Sequence, residues 1–158
     1  MISESRFRLK CRLLEKIRRS GDNEAVVKIV VIDGMGGGIG SQIVSQLKQE
    51  IGVKAEIIAL GSNAVATDRM VRAGAGRGAT GENAIRVSIG IVIPDSMMGE
   101  ITAGTAAAVF GCRAEKFLIP IAQQHFTIVG YDPKPVASLI AGAVDLIKSR
   151  LEEKTAAS

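Results

Sequence analysis

Five of the seven residues from Gly34 to Gly40 are glycine, within the stretch DGMGGGIGSQ that follows the apolar run Ile29 to Ile32. Each glycine costs folding entropy, roughly 0.5 to 1 kcal/mol relative to alanine, so such a cluster needs a positive cause. A phosphate is one. Gly34, Gly38 and Gly40 fit G-x-x-x-G-x-G between a strand and a helix. Small residues there let the backbone turn tightly and approach a pyrophosphate, whose charge meets the open N–H groups and positive end of the helix. Gly34, Gly36, Gly37, Gly38, Ile39 and Gly40 are therefore the candidate phosphate contacts. A merely tight strand-to-helix turn is the alternative.

The expected companions of a dinucleotide site are incomplete. A carboxylate about twenty residues beyond the loop should hold the ribose of NAD. The second strand instead ends in Ala59, Leu60, Gly61, Ser62 and Asn63, and Glu56 comes too early. Ser62 or Asn63 could bind a ribose hydroxyl and Arg69 or Arg72 a 2′-phosphate, although a helix cap or a solvated charge would use the same residues. The glycine spacing is similar to the short-chain dehydrogenase fingerprint, but Tyr-x-x-x-Lys is missing. The sole tyrosine, Tyr131, has Lys134 three positions on, with Pro133 between them. In a second cluster, GAGRGATGEN, Gly76 and Gly81 have P-loop separation, yet Glu82 stands where the lysine should be. Gly74, Gly76, Gly78 and Gly81 around Arg77 and Thr80 could still present N–H groups and a guanidinium to an anion, or form a loop and nothing more.

Asp33, Asp95, Ser96 and Glu100 lie at predicted strand exits, where carboxylates serve acid/base work or hold a metal. Asp33, Asp95 and Glu100 are the candidate catalytic groups, with helix capping the competing role for Asp95 and Ser96. A carboxylate just before a phosphate-binding turn is electrostatically odd unless it orients the loop or meets a cation, which singles out Asp33. His125 is the only histidine, so no histidine metal cluster can form, and no metal is assigned. Cys112 reads as a small buried hydrophobe.

The positioning elements follow from periodicity. Lys28 to Ile32 and Ala55 to Leu60 read as strands, Ile39 to Glu50 and Ala64 to Ala73 as helices, with Ser62 or Asn63 as a cap. Gly74 to Asn83 is too glycine-rich for regular structure and reads as a loop. Ile85 to Ile93 alternates as a strand, a helix runs from after Asp95 to Phe110, Lys116 to Ile121 and Phe126 to Val129 are short strands, and Val136 to Glu153 is a closing helix. Strands alternating with helices predict an α/β fold, a three-layer sandwich with a mostly parallel, Rossmann-like sheet. Ligands of such sheets bind outside the carboxyl ends of the strands. The aliphatic composition agrees, with 47% hydrophobic residues, 3% aromatic and no Trp.

The chain has 158 residues and a net charge of +4, distributed unevenly. Residues 1–19 hold seven basic side chains and two acidic ones, a net +5, while the remainder holds 13 basic against 14 acidic, a net −1. The division is thus a basic amphipathic arm, residues 1–20, and a single Rossmann-like domain, residues 21–158. Nucleic acid or an anionic membrane surface could engage only through residues 5–19. Cys11 and Cys112 form no metal or redox spacing, and no apolar run spans a membrane, so a cytoplasmic setting is expected. A mean hydropathy of +0.26 and the open edges of a short sheet predict a homodimer.

From about Lys28 to Ile147 the chain resembles a small bacterial family of domains of unknown function with a Rossmann-like pattern. The likeness rests on VIDGMGGGIG, IIALGSNAVAT, AGAGRGATGENAI, GIVIPDSMMGEIT and EKFLIPI. It implies a nucleotide-binding-like fold and no established activity. Relatives carry a longer segment between GENAI and GIVIP than the short one around Arg86 to Ser88 here, so a strand of the sheet is in question. The leading expectation is a protein binding a nucleotide or other phosphorylated small molecule at Gly34 to Gly40, NAD or NADP first, as a sensor or accessory protein. A small oxidoreductase or transferase using the strand-exit carboxylates, and a structural module with an empty loop, are the alternatives.

Overall fold

The computed structural model describes residues 27–80, 92–96, 98–120 and 128–156. β1 (Val27–Asp33) leads through the glycine loop into α1 (Gly38–Ile51), then β2 (Ala55–Gly61), α2 (Ala64–Arg72) and β3 (Arg77–Thr80). α3 (Ala103–Gly111) and α4 (Val136–Ala156) follow. The strands are parallel in the order β1-β2-β3, with Asp33 opposite Gly61 and Gly61 opposite Thr80. All three carboxyl ends therefore open on one edge of the sheet.

Successive side chains along a strand point to opposite faces, and here both faces are apolar. Ile29, Val31, Ile57 and Ala59 pack with Ile43, Val44, Leu47 and Ile51 of α1, Met70 of α2, and Ile140, Val144 and Leu151 of α4. Val30, Ile32, Ile58 and Leu60 meet Ile101, Ala106 and Val109 on the opposite side. The molecule is a three-layer α/β sandwich with a parallel sheet in the middle. Leu47, Met70, Ile101 and Ile140 are wholly buried, and each contributes about 1.5 to 3 kcal/mol relative to an exposed position. Among the described residues no helix is long and apolar enough to cross a membrane.

Three expectations are corrected. Residues 77–80, expected in a loop, form β3: the open edge of β2 satisfies the backbone, starting with the Gly76 N–H on Ile57 O at 2.8 Å. Glycine suits this strand because a Cβ at Gly78 would lie 2.6 Å from Val71 Cγ2 and 2.8 Å from Thr67 Cγ2. The helix expected from Asp95 begins only at Ala103. Asp95 (φ 61°), Met98 (φ 58°) and Gly99 (φ 82°) take left-handed conformations that a helix excludes, and Thr102 caps α3 by accepting the Thr105 N–H. Residues 116–120 of the expected strand Lys116 to Ile121 form no strand; only Ile119 is buried, and Pro120 cannot donate to a ladder. The arm 1–20, His125, and residues 85–91 and 126–127 of two further expected strands lie outside the described residues.

Candidate functional site

Asp33 ends β1 with its carboxylate buried, 7% exposed, against the first turn of α1. Oδ1 accepts the Gly34 N–H at 2.8 Å and Oδ2 the Gly40 N–H at 2.7 Å. Burial pushes its pKa above the ordinary carboxylate value, opposed by the Gly40, Gly34 and Ile39 N–H groups and by the charge of Arg69. Asp33 thus does what an electrostatically odd carboxylate must: it orients the loop, supplying from within the chain the negative charge that a helix N-terminus attracts.

The five glycines divide into different roles. Gly37 has φ 66°, and a Cβ there would lie 2.7 Å from Ala66 Cα, so only glycine lets the loop lie on the start of α2. A Cβ at Gly40 would lie 2.7 Å from Asp33 Cβ and close on Met70 Sδ. Packing accounts for both. At Gly36 and Gly38 a Cβ would find only the tip of Arg69, at 3.9 and 3.8 Å. At these two positions packing does not require glycine, and the loop N–H groups have no acceptor among the described residues.

Around them the exits of β1 and β2 meet. The Ser62 N–H donates to Asp33 O at 3.0 Å, which carries the strand pairing one residue past the sheet. Asn63 caps α2 by accepting the Ala66 N–H at 2.9 Å, and its Nδ2 donates to Met35 O at 2.7 Å. Glu100 arrives from the opposite layer, held by the buried Ile101 beside it and by the turn that the Asp95 N–H closes on Ile101 O. Its carboxylate accepts the Met35 N–H at 3.0 Å, Asn63 Nδ2 at 3.1 Å and the Ser62 hydroxyl. Met35 itself is left-handed, φ 51°, and half exposed. On the other side of the loop Arg69 Nη1 donates to Gly36 O at 3.3 Å. The mouth is therefore polarised, with a carboxylate at Met35 and a guanidinium at Gly36 and Gly38.

Of the candidate residues, Asp33, the five glycines, Ile39, Ser62, Asn63 and Glu100 gather at this edge. Arg77 does not. It starts β3 opposite Ile58 and pairs with Glu56 at 2.7 Å, toward the amino end of the sheet, because the segment became a strand and not a loop. Thr80 ends β3, two strands away from β1, and its hydroxyl donates to Thr67 Oγ1 at 2.6 Å. Asp95 contributes backbone to the Glu100 turn, and its carboxylate makes no hydrogen bond to the glycine loop among the described residues. Arg72 pairs with Asp68 along α2. Met35 and the closeness of Arg69 to Gly36 had no signal in the spacing alone, since both depend on how α2 leans on the loop.

A family model described as a domain of unknown function, DUF3842, matches residues 28–152, the span that holds the sheet, all four helices but the last turn, and the whole mouth. Neither the curated proteins nor the solved structures give a match.

Proposed function

The chain belongs to that family, whose description assigns no activity, and from its own geometry we propose that it binds a nucleotide or other phosphorylated small molecule at the mouth of the glycine loop. In this reading the phosphate lies on Gly36 and Gly38, takes their N–H groups and pairs with Arg69. The observation that carries it is the division among the glycines. Gly37 and Gly40 are required by packing, whereas Gly36 and Gly38 meet only the end of a flexible cation. A chain that needed merely a tight turn would have no use for glycine at these two positions. NAD or NADP is the first candidate, in a binding role and not a catalytic one, because Asp33 is committed to loop backbone.

One observation favours a second reading, a structural module that carries no ligand. Asp33 and Glu100 already satisfy three loop N–H groups from within the chain, those of Gly34, Gly40 and Met35. Calorimetric titration of the full chain with ADP, NAD and NADP separates the two. The binding reading expects saturable heat that Arg69→Ala reduces by about tenfold in affinity, in line with loss of one charge-assisted contact. No heat with any of the three leaves the structural module.

A further inference from the structure

α3 has no polar side. Its sequence, AGTAAAVFG, carries no charged residue, and Thr105, Ala106 and Val109 are buried, the last two against Ile32, Ile58 and Leu60 of the sheet. On the side away from the sheet Ala103, Ala107 and Phe110 follow one another at the i, i+4, i+7 spacing of a single helical stripe. All three are exposed, Phe110 to 77%. A surface helix of a globular protein normally turns charged or polar residues outward, and one that is apolar all round is normally covered. We infer that the outer side of α3 is the seat of residues 5–19 of the same chain, which lie across it through Phe7, Cys11 and Leu14. The inference is independent of any ligand at the glycine loop.

The sequence of the arm supplies the complementary half. Phe7, Cys11 and Leu14 repeat the spacing of Ala103, Ala107 and Phe110, and Arg8, Arg12, Glu15, Lys16 and Arg19 fall on the other side of the same helical pattern. Seating the apolar stripe on α3 leaves those charges in water, where burial costs them nothing. The small residues Ala103 and Ala107 let a second helix come close. The chain also arrives at the right place. The described residues begin at Val27, the start of β1, and Val30 and Ile32 of that strand lie under the α3 layer. Residues 20–26 extend to at most about 23 Å, which exceeds the 10–12 Å diameter of the helix they have to round. Size then selects the occupant. A helix of nine residues is only about 13 Å long, so its outer side falls far short of the roughly 800 Å² per partner that a stable dimer buries. A segment tethered to the same chain binds at high effective concentration and needs no such area.

The test places a nitroxide on the charged side of the arm, at Arg12→Cys in the full isotope-labelled chain with Cys11→Ala and Cys112→Ala, and reads the loss of backbone amide signals by NMR. The inference expects the amides of Ala103, Ala107 and Phe110 to lose most of their intensity, while those of α1 and α4, which pack together on the far face of the sheet, keep theirs. Adding Leu14→Asp should restore the α3 signals and leave the β1 amides where they were, since the substitution lies outside the sheet and its layers. Full intensity at α3 in the nitroxide-bearing chain overturns the inference. So does a loss spread evenly over α1, α3 and α4, because the arm would then range over the surface without a seat. A second sample mixes isotope-labelled chain that lacks the nitroxide with unlabelled chain that carries it. Unchanged α3 signals there support a seat within one chain; loss at α3 in that mixture overturns it and assigns the face to a second copy. If α3 keeps its intensity and the nitroxide-bearing arm instead binds vesicles of anionic phospholipid, the inference is overturned in favour of a membrane surface as the partner of the arm.

Discussion

The two glycine-rich segments, 34–40 and 74–80, are alike in composition and opposite in use. In the first, the backbone leaves the sheet, and two of its glycines face nothing but Arg69. In the second, the backbone joins the sheet as β3, and Gly78 clears the methyls of Val71 and Thr67 so that α2 can lie on the strand. A glycine shows only that a Cβ is unwelcome. Whether that Cβ would meet packed protein or open space separates the glycines that packing requires from those it does not.

Adding a methyl group tests that division. Gly37→Ala and Gly40→Ala should show the largest losses, about 2 to 4 kcal/mol by urea unfolding, since each forces overpacking against fixed atoms and Gly37 adds left-handed strain. Gly36→Ala and Gly38→Ala should stay within about 0.5 kcal/mol of wild type and weaken ADP binding instead. Equal destabilisation at all four positions would break the division. Asp33→Asn comes next, at about 1 to 3 kcal/mol, because an amide cannot accept on both sides and leaves the Gly34 or Gly40 N–H without an acceptor.

Asp33 also predicts a pH signature. Its folded pKa is raised by burial, so between the ordinary carboxylate value and the raised one the folded state binds more protons than the unfolded. Its contribution to stability therefore falls as pH rises through that window and is flat above it. The difference in unfolding free energy between wild type and Asp33→Asn, followed from acid to neutral pH, should decline in that interval; an increase would reverse the assigned sign. The mildest expectation belongs to the second segment. Arg77→Ala removes a pair between an exposed guanidinium and the part-exposed Glu56, so it should cost about 1 kcal/mol or less and leave ADP affinity unchanged.

Local signals made the first half of the fold legible. The apolar strands, the αL-capable glycines and the Asn63 cap all act within a few residues, and β1, α1, β2 and α2 follow from them. The layers followed as well, because strands buried on both faces read as solid apolar runs. β3 was hidden because its pairing comes from the edge of β2 and not from its own propensities. The helix expected after Asp95 starts late, at Ala103, because left-handed Asp95 and Met98 belong to the turn that anchors Ile101. At the site, Asp33 could be singled out from its position alone. The role of Glu100 could not, since it joins Ser62 and Asn63 across 38 and 37 residues of chain.

The most direct test follows backbone amides by NMR in the uniformly isotope-labelled full chain while ADP is added. If the proposed binding at the loop holds, Gly36 and Gly38 should shift and saturate together, with Gly76 and Gly78 unmoved. Amides of Gly76 and Gly78 moving in place of those two, or no amide moving at millimolar ADP, would contradict the assignment of the first glycine segment as the binding loop.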